Sequence, residues 1–259
     1  MDNLRSSFIV ASVLVCTAAC SCNSDSDSTH VQALSPTTVL DLNDVKQNPA
    51  AYEWFDFRPN VQKLILSGAA ETEHVALLWY TVTDGSVGLH LHSKTESVYV
   101  IEGTQTDAKG VYPTGTVYFN PPGSGHALMN SSGFFILAYA SPPDFANTNL
   151  IEEYTPVRID TAAPDLMSAY AFEEKEPGVR SFGVPLVSEG GMSGQFIELT
   201  AGGEHGYVGN YLLVLRGQCD IDGVALGVQT LVVSQTVEPR PFRIGASAGS
   251  TCLAMGLSF

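Results

Sequence analysis

Two segments of the chain read Gly85-Ser86-Val87-Gly88-Leu89-His90-Leu91-His92-Ser93-Lys94-Thr95-Glu96 and Asn120-Pro121-Pro122-Gly123-Ser124-Gly125-His126. Alternate residues of a strand point to one face, so His90 and His92 share a face, and Glu96 returns to it if residues 93–95 keep the alternation. His126 follows a Gly/Pro turn and begins another strand. Three imidazoles and one carboxylate that converge inside a barrel form a divalent-metal site with open positions. We predict one such site, formed by His90, His92, Glu96 and His126.

Short strands follow one another from Trp54 onward. Gly, Pro, Asn or Asp residues bound each of them, as is typical of strands joined by tight turns. The predicted strands are Lys63–Ser67, Val75–Thr81, Ser97–Glu102, Gly115–Asn120 and Gly133–Ala140. A short helix is predicted near residues 41–48, and the polar, proline-punctuated residues 146–170 are interpreted as a linker.

The residues after the linker repeat the first series of strands. Three segments have counterparts 112 to 118 residues further along: Phe57–Val61 and Lys175–Val179, Ser97–Gly103 and Tyr211–Gly217, Gly115–Phe119 and Gly227–Leu231. Two similar all-β units of this kind predict a pair of antiparallel barrels. We predict a first domain at 36–145, a linker at 146–170 and a second domain at 171–259.

The second unit has lost the predicted metal ligands. When Gly217 is aligned with Gly103, the positions of the three ligands in the first segment hold Glu204, Gly206 and Asn210. No histidine follows Gly227. Glu204, His205 and Glu238 are interpreted as surface or loop residues, so we expect one metal ion per chain.

The two segments resemble the conserved motifs of the cupins. Residues 85–103 resemble the first motif, in which HxH is followed by three spacers, Glu, six spacers and Gly, and residues 115–130 fit the second motif, G-x5-P-x-G-x2-H-x3-N. The resemblance implies two tandem cupin barrels, each a double-stranded β-helix or jelly roll, of which only the first retains metal ligands. Residues 112–126 resemble the ChrR-like branch, which includes zinc-binding modules of anti-sigma factors and relatives of acetylacetone-cleaving dioxygenases. The CxxC helical domain of the anti-sigma members has no counterpart in this chain.

Three further residues near the motifs are interpreted as structural. Strand alternation places Tyr99 opposite Glu96, and Tyr118 is interpreted as a packing residue like Tyr99. Asn130 ends the second motif and is assigned to structure rather than to catalysis.

The N-terminus has the layout of an export signal. Phe8 to Ala19 is a run of apolar or small residues after Arg5, too short to span a bilayer. Thr17-Ala18-Ala19-Cys20 resembles a bacterial lipobox, which implies a signal peptide at 1–19, lipidation of Cys20 and a flexible polar tether at 20–35. Ordinary cleavage without a lipid is the alternative. We therefore expect a periplasmic or outer-membrane lipoprotein, attached to the membrane through Cys20 only.

The charge and the cysteine content of the chain limit which partners and which cellular compartment can be expected. The formal net charge of −15 argues against nucleic-acid binding, because little would neutralise a phosphate backbone. Cys219 and Cys252 could pair in an oxidising compartment or stay as buried free thiols. A monomer or a homodimer is compatible with a tandem chain.

Two functions remain open. The first is a metal-dependent dioxygenase or related lyase that acts on a small oxygenated, diketone-like substrate. The second is a non-enzymatic zinc- or ligand-binding protein. The expected cofactor is one divalent ion, with zinc or iron before manganese, nickel or copper; binding outside the cytoplasm favours copper and zinc by affinity. Neither the substrate nor a catalytic residue beyond the ligands is readable from the sequence.

Overall fold

The computed structural model describes residues 36–147, 153–247 and 249–259. The predicted signal peptide, the tether and Cys20 lie outside these residues. Within the described ranges, no helix has the length and apolar character needed to cross a membrane.

Strands dominate the described chain, as the sequence predicts. The first half contributes β1 Thr37–Asp41, β2 Phe55–Arg58, β3 Val61–Gly68, β4 His74–Leu91, β5 Glu96–Asp107, β6 Gly110–Pro113, β7 Thr116–Asn120 and β8 Gly125–Tyr139. The remainder contributes β9 Val157–Asp160, β10 Glu173–Glu176, β11 Val179–Gly183, β12 Ser193–Leu199, β13 Glu204–Gly209, β14 Tyr211–Gly217, β15 Cys219–Ile221, β16 Val224–Leu226, β17 Thr230–Ser234, β18 Arg240–Gly245 and β19 Cys252–Ser258. The helices are α1 Leu42–Gln47 and α2 Leu166–Ala169, with single 3-10 turns at Pro49–Ala51 and Ser188–Gly190.

The strands pair antiparallel into two barrels, which confirms the predicted all-β tandem. In the first, the order is β2-β3-β4-β8-β5-β7-β9, with β6 beside β5. The second consists of a sheet with the order β1-β17-β14-β19-β12-β11-β10 and a sheet with the order β13-β18-β15-β16. Gly103 and Gly217 have φ angles of 88° and 70°, and a Cβ on either would lie 2.0 Å from a carbonyl oxygen. The two glycines thus play the same part at equivalent bends, which supports the alignment of the repeats.

Buried apolar residues form three clusters. One fills the first barrel and includes Phe135 and Leu137, and one fills the second barrel and includes Phe242. The third contains side chains of both halves, among them Tyr99 and Phe196, together with residues of α1. The two barrels therefore share an apolar interface, and the packing role predicted for Tyr99 is confirmed.

Strand pairing crosses the predicted domain boundaries at two points. β1, which precedes the first barrel, pairs with β17 of the second half, and β9, within the predicted linker, pairs with β7 of the first. Each exchanged strand covers a sheet edge that would otherwise expose unpaired backbone groups. The predicted short helix is confirmed as α1, which Asp41 caps by accepting a hydrogen bond from the Asn43 backbone N–H.

Cys219 and Cys252 form a disulfide, with their Cα atoms 5.0 Å apart. This separation lies within the range that the bond requires. Of the two alternatives that the sequence leaves open, the structure contains the bonded pair.

Candidate metal centre

The four predicted ligands meet inside the first barrel. His90 lies near the end of β4, His92 just beyond it, Glu96 at the start of β5 and His126 near the start of β8. His90 and His126 face each other as register partners of β4 and β8. All four residues are between 1% and 2% exposed, so the site is shielded from bulk water.

Glu96 reaches the site by a different route from the one predicted. Residues 93–95 do not continue the strand: the chain bends there, and β5 begins at Glu96. β8 lies between β4 and β5 in the sheet, so the bend carries the chain across it. The condition that Ser93, Lys94 and Thr95 keep the strand alternation is therefore not met, but the Glu96 carboxylate still points into the interior of the barrel.

The interatomic distances fit one metal ion. Nε2 of His92 lies 3.3 Å from Nε2 of His126, and both nitrogens lie 3.4 Å from Oε2 of Glu96. The four candidate ligand atoms lie within 4.8 Å of one another. Two ligands bound to one ion at about 2.1 Å are about 3.0 Å apart at a right angle and about 3.4 Å apart at a tetrahedral angle. The donor set and its spacing thus fit a divalent ion.

Hydrogen bonds orient three of the ligands. Nδ1 of His126 lies 2.9 Å from Oδ2 of Asp107, and Nδ1 of His90 lies 2.9 Å from the Gly88 carbonyl oxygen. Each acceptor favours the tautomer that keeps a proton on Nδ1 and leaves Nε2 free to bind a metal. Asn120 donates to Oε2 of Glu96 at 2.7 Å. These contacts hold the ligand atoms in the directions that a metal requires.

Burial and mutual contact set the charges of the ligands. Burial, assisted by the neighbouring His126, lowers the pKa of His90 to about 3 and that of His92 to about 4. Burial alone would lower the pKa of His126 as well, but its hydrogen bonds to Asp107 and Glu96 raise it to about 9. Burial would raise the pKa of Glu96, yet the surrounding imidazoles lower it well below its usual range. In the metal-free state the centre therefore favours a carboxylate at Glu96 and neutral rings at His90 and His92, the forms that bind metals. His126 instead favours the protonated ring, whose Nε2 proton a bound metal would replace.

Asp107 and Asn120 are functional residues that sequence reasoning missed. Alternate residues of a strand point to the same face, so strict alternation from the inward-pointing Glu96 would place the Asp107 side chain on the outside of the barrel. A β-bulge between Val100 and Glu102 shifts the alternation by one residue, so Asp107 points inward. Asn120 reads in sequence as the first residue of a turn, yet it ends β7 opposite Glu96 in register.

A second polar pair, also missed, lies in the same barrel. Nζ of Lys63 is 2.6 Å from Nε2 of His74, whose Nδ1 lies 2.7 Å from the Thr72 carbonyl oxygen. The ring of Tyr139 neighbours both this pair and the metal centre. Its centroid lies 5.1 Å from that of the His74 ring and 5.9 Å from that of the His92 ring. Burial lowers the pKa of Lys63 to about 8 and that of His74 to about 4.

The other predicted residues have structural surroundings. Tyr118 donates to the Gln105 side chain at 2.6 Å and stacks on Tyr112, which agrees with a packing role. Asn130 adopts a φ of 48° at an exposed position of β8. In the second barrel, Asn210 donates to the Val237 carbonyl oxygen.

Of the remaining second-half residues, Glu204 is exposed and contacts Arg243. The one group of metal-binding side chains found in the described ranges is the group in the first barrel.

Comparisons with known proteins agree with this architecture. Residues 42–142 match the model of the ChrR cupin-like domain. A candidate dioxygenase from Nostoc punctiforme is 9% identical, with a TM-score of 0.56 over 86% of this chain and 82% of that one. The cupin fold is therefore present. None of the curated protein sequences is significantly similar to the chain.

Two further solved cupin-like structures align over most of both chains. A cupin 2 conserved barrel domain protein from Leptotrichia buccalis is 10% identical, with a TM-score of 0.55 over 85% of this chain and 95% of that one. Salicylate 1,2-dioxygenase from Pseudoaminobacter salicylatoxidans, solved as adducts with gentisate, is 14% identical, with a TM-score of 0.51 over 87% and 83%. At these identities the likeness concerns the fold.

Proposed function

We propose that this cupin binds one divalent metal ion through His90, His92, Glu96 and His126 and acts as a metal-dependent dioxygenase or related lyase. The carrying observation is the convergence of three imidazoles and one carboxylate, whose candidate ligand atoms lie within 4.8 Å of one another. Four protein ligands leave open positions on an ion that prefers six. The proposed substrate is a small oxygenated molecule, such as a β-diketone, that chelates at those positions.

The surrounding residues supply positioning and shielding. Asp107 holds the imidazole of His126, and Asn120 holds the carboxylate of Glu96, so neither ligand has to reorganise on metal binding. The low exposure of the ligands keeps water away from the reacting molecule. A bound redox-active ion such as iron(II) would supply oxygen activation, whereas zinc would supply Lewis acidity.

The alternative is a zinc- or ligand-binding protein without turnover. The closed surroundings of the ligands favour it, since a buried four-ligand centre also suits a structural ion. Metal capture outside the cytoplasm would favour zinc or copper over iron.

Metal analysis combined with turnover tests the proposal. We expect the purified mature chain to contain about one equivalent of iron, manganese or nickel per chain and to consume oxygen with acetylacetone or a related diketone. His126→Ala should lose both metal and activity, while His205→Ala, which changes a histidine of the second barrel, should keep both. Stoichiometric zinc and no turnover across a panel of diketones and flavonols would instead support the alternative.

We further propose that the protein is exported and lipidated on Cys20. The Cys219–Cys252 disulfide supports an oxidising compartment. Radiolabelled palmitate should enter the membrane fraction with the wild-type chain and with Cys22→Ala, but not with Cys20→Ala. Equal labelling of Cys20→Ala would exclude this site of lipidation.

A further inference from the structure

Two cations of the first barrel have no carboxylate partner among the described residues. The chain has 12 Lys and Arg residues against 27 Asp and Glu. Carboxylates are thus abundant, and several cationic side chains elsewhere pair with one: Lys46, Lys175 and Arg180 each form an ion pair. Arg58, half-buried, and Lys63, 2% exposed, form none within the described chain.

The two cations converge on one aromatic ring. The guanidinium carbon of Arg58 lies 4.5 Å from the ring centroid of Phe57, and Nζ of Lys63 lies 4.6 Å from the same centroid. Phe57 and Arg58 belong to the edge strand β2, while Lys63 points inward from β3. The chain thus gathers two positive charges at the edge of the barrel that contains the metal centre.

One aromatic ring separates each cation from a metal-centre histidine. Arg58 lies 3.8 Å from the ring centroid of Phe145, which lies 4.9 Å from that of His90. Lys63 lies 5.1 Å from the ring centroid of Tyr139, the ring that also neighbours His92. Each cation is therefore separated from the metal centre by the width of one aromatic ring.

Contacts within the protein use only part of the hydrogen-bonding capacity of the two cations. The ammonium of Lys63 carries three donors, and His74 takes one of them. The guanidinium of Arg58 carries five N–H groups, and the Phe57 carbonyl oxygen accepts one. The buried ammonium contacts a neutral imidazole and two aromatic rings, and the Glu96 carboxylate of the metal centre favours its charge without forming an ion pair with it, so its lost hydration is only partly compensated.

We propose that Arg58 and Lys63 bind the carboxylate of a small organic acid, whose second oxygen faces the metal centre. Phe57 and Phe145 contact the apolar body of this ligand. The inference rests on the proposed function in one respect, the metal contact of the second oxygen. It deepens that function by naming an anionic substrate class, in place of the neutral diketones considered above.

Calorimetric titration of the full-length, metal-loaded chain tests this assignment. The probe is benzoylformate, which has a carboxylate beside a ketone oxygen and a ring, and the neutral comparison is its methyl ester. We expect the wild-type chain to bind the acid at least about tenfold more tightly than the ester, because charge-assisted hydrogen bonds are lost with the ester. Arg58→Gln should abolish this preference.

Controls separate the possible failures. Arg180→Gln, which changes an ion-paired arginine of the second barrel, should leave the preference for the acid unchanged. Lys63→Met should also weaken acid binding, but Arg58→Gln is the decisive variant because a half-buried side chain is safer to replace. An equal affinity for acid and ester, or a preference that survives Arg58→Gln, would overturn the assignment. Inorganic phosphate that binds as tightly as benzoylformate would overturn the carboxylate class.

The same titration after chelation of the metal distinguishes this inference from the proposed function. Acid binding that depends on Arg58 in both metal-loaded and metal-free chains supports the anion site even if no turnover is found. A metal-loaded, active chain without any preference for the acid overturns the anion site and leaves the metal-dependent activity standing.

Discussion

Asp107 is a residue whose effect reaches the metal centre through another side chain. It accepts a hydrogen bond from Nδ1 of His126, while the opposite nitrogen of that ring faces Glu96. It also accepts hydrogen bonds from the backbone N–H groups of Lys109 and Gly110. The turn after β5 therefore fixes the carboxylate, and the carboxylate fixes the ring.

Replacement of Asp107 should weaken metal binding without removing a ligand. Because Asp107→Asn no longer offers the charged acceptor that orients His126, we expect metal affinity to fall by about 10- to 100-fold. Competition with a coloured chelator measures the affinity. Asp84→Asn, at an exposed position of β4, is the matched control, and equal affinities of the two variants would contradict the role of Asp107.

His74 should make the first barrel sensitive to acid. The pKa of this histidine falls from 6.5 to about 4 on folding, first through burial and then through Lys63, so the unfolded chain binds the proton more readily. Stability is therefore retained above about pH 6.5 and lost as the pH falls toward 4, by at most about 3 kcal/mol. Urea unfolding at pH 7 and pH 4.5 should show a smaller loss for His74→Gln than for the wild type. An identical loss would refute the assignment.

The bend between β4 and β5 depends on a segment of the second half. The Thr95 backbone N–H donates to the Gly190 carbonyl oxygen at 2.9 Å, and the Lys94 ammonium donates to the Glu189 carbonyl oxygen at 2.9 Å. The 3-10 turn Ser188–Gly190 thus supports the residues directly before Glu96. The second barrel contributes to the centre although it lacks ligands of its own.

Gly190→Ala should disturb this support. A Cβ at Gly190 would lie 2.0 Å from Oγ1 of the buried Thr95, so the bend must shift and carry Glu96 with it. We expect weaker metal binding, by about tenfold, as is typical when an orienting contact is lost. Gly206→Ala, whose Cβ would meet nothing within 4 Å, is the control. Unchanged affinity in Gly190→Ala would show that the bend is held by other contacts.

Within the described ranges, strand pairing and a shared apolar interface join the two halves, and a disulfide crosslinks the second half. The disulfide joins residues 33 positions apart in the second half, whereas the metal centre lies in the first. Arg216 donates to the carbonyl oxygens of Thr161 and Ala163, at 2.8 and 2.5 Å, and so ties the second half to the segment after β9. The disulfide and the metal centre therefore lie in different halves of one folded unit.

Removal of the disulfide should lower stability and spare the metal. In the chain-entropy account, a loop of this length contributes about 3–4 kcal/mol to the free energy of unfolding. The Cys219→Ala, Cys252→Ala double variant should unfold at lower urea concentration while retaining its full metal content. A concurrent loss of metal would mean that the two barrels do not separate these properties.

Most of the correct predictions came from the spacing of residues that are close together in the sequence. The alternation in His90-Leu91-His92, the Gly/Pro turn before His126 and the period of short strands depend on neighbouring residues, and the structure brings the expected four side chains together. Asp107 escaped prediction because one bulge in β5 reverses the alternation. Lys63 and His74 escaped because each is unremarkable in its own strand, and their pairing depends on the β3–β4 register.

The amino-acid order is sufficient for the all-β architecture, the duplication and the ligand set, since strand periodicity and turn chemistry are local properties of the chain. Folding in three dimensions settles the exchange of β1 and β9, the pairing of Cys219 with Cys252 and the route by which Glu96 enters the barrel. These features join residues far apart in sequence. They follow from which sheet edges and side chains become neighbours after the whole chain has packed.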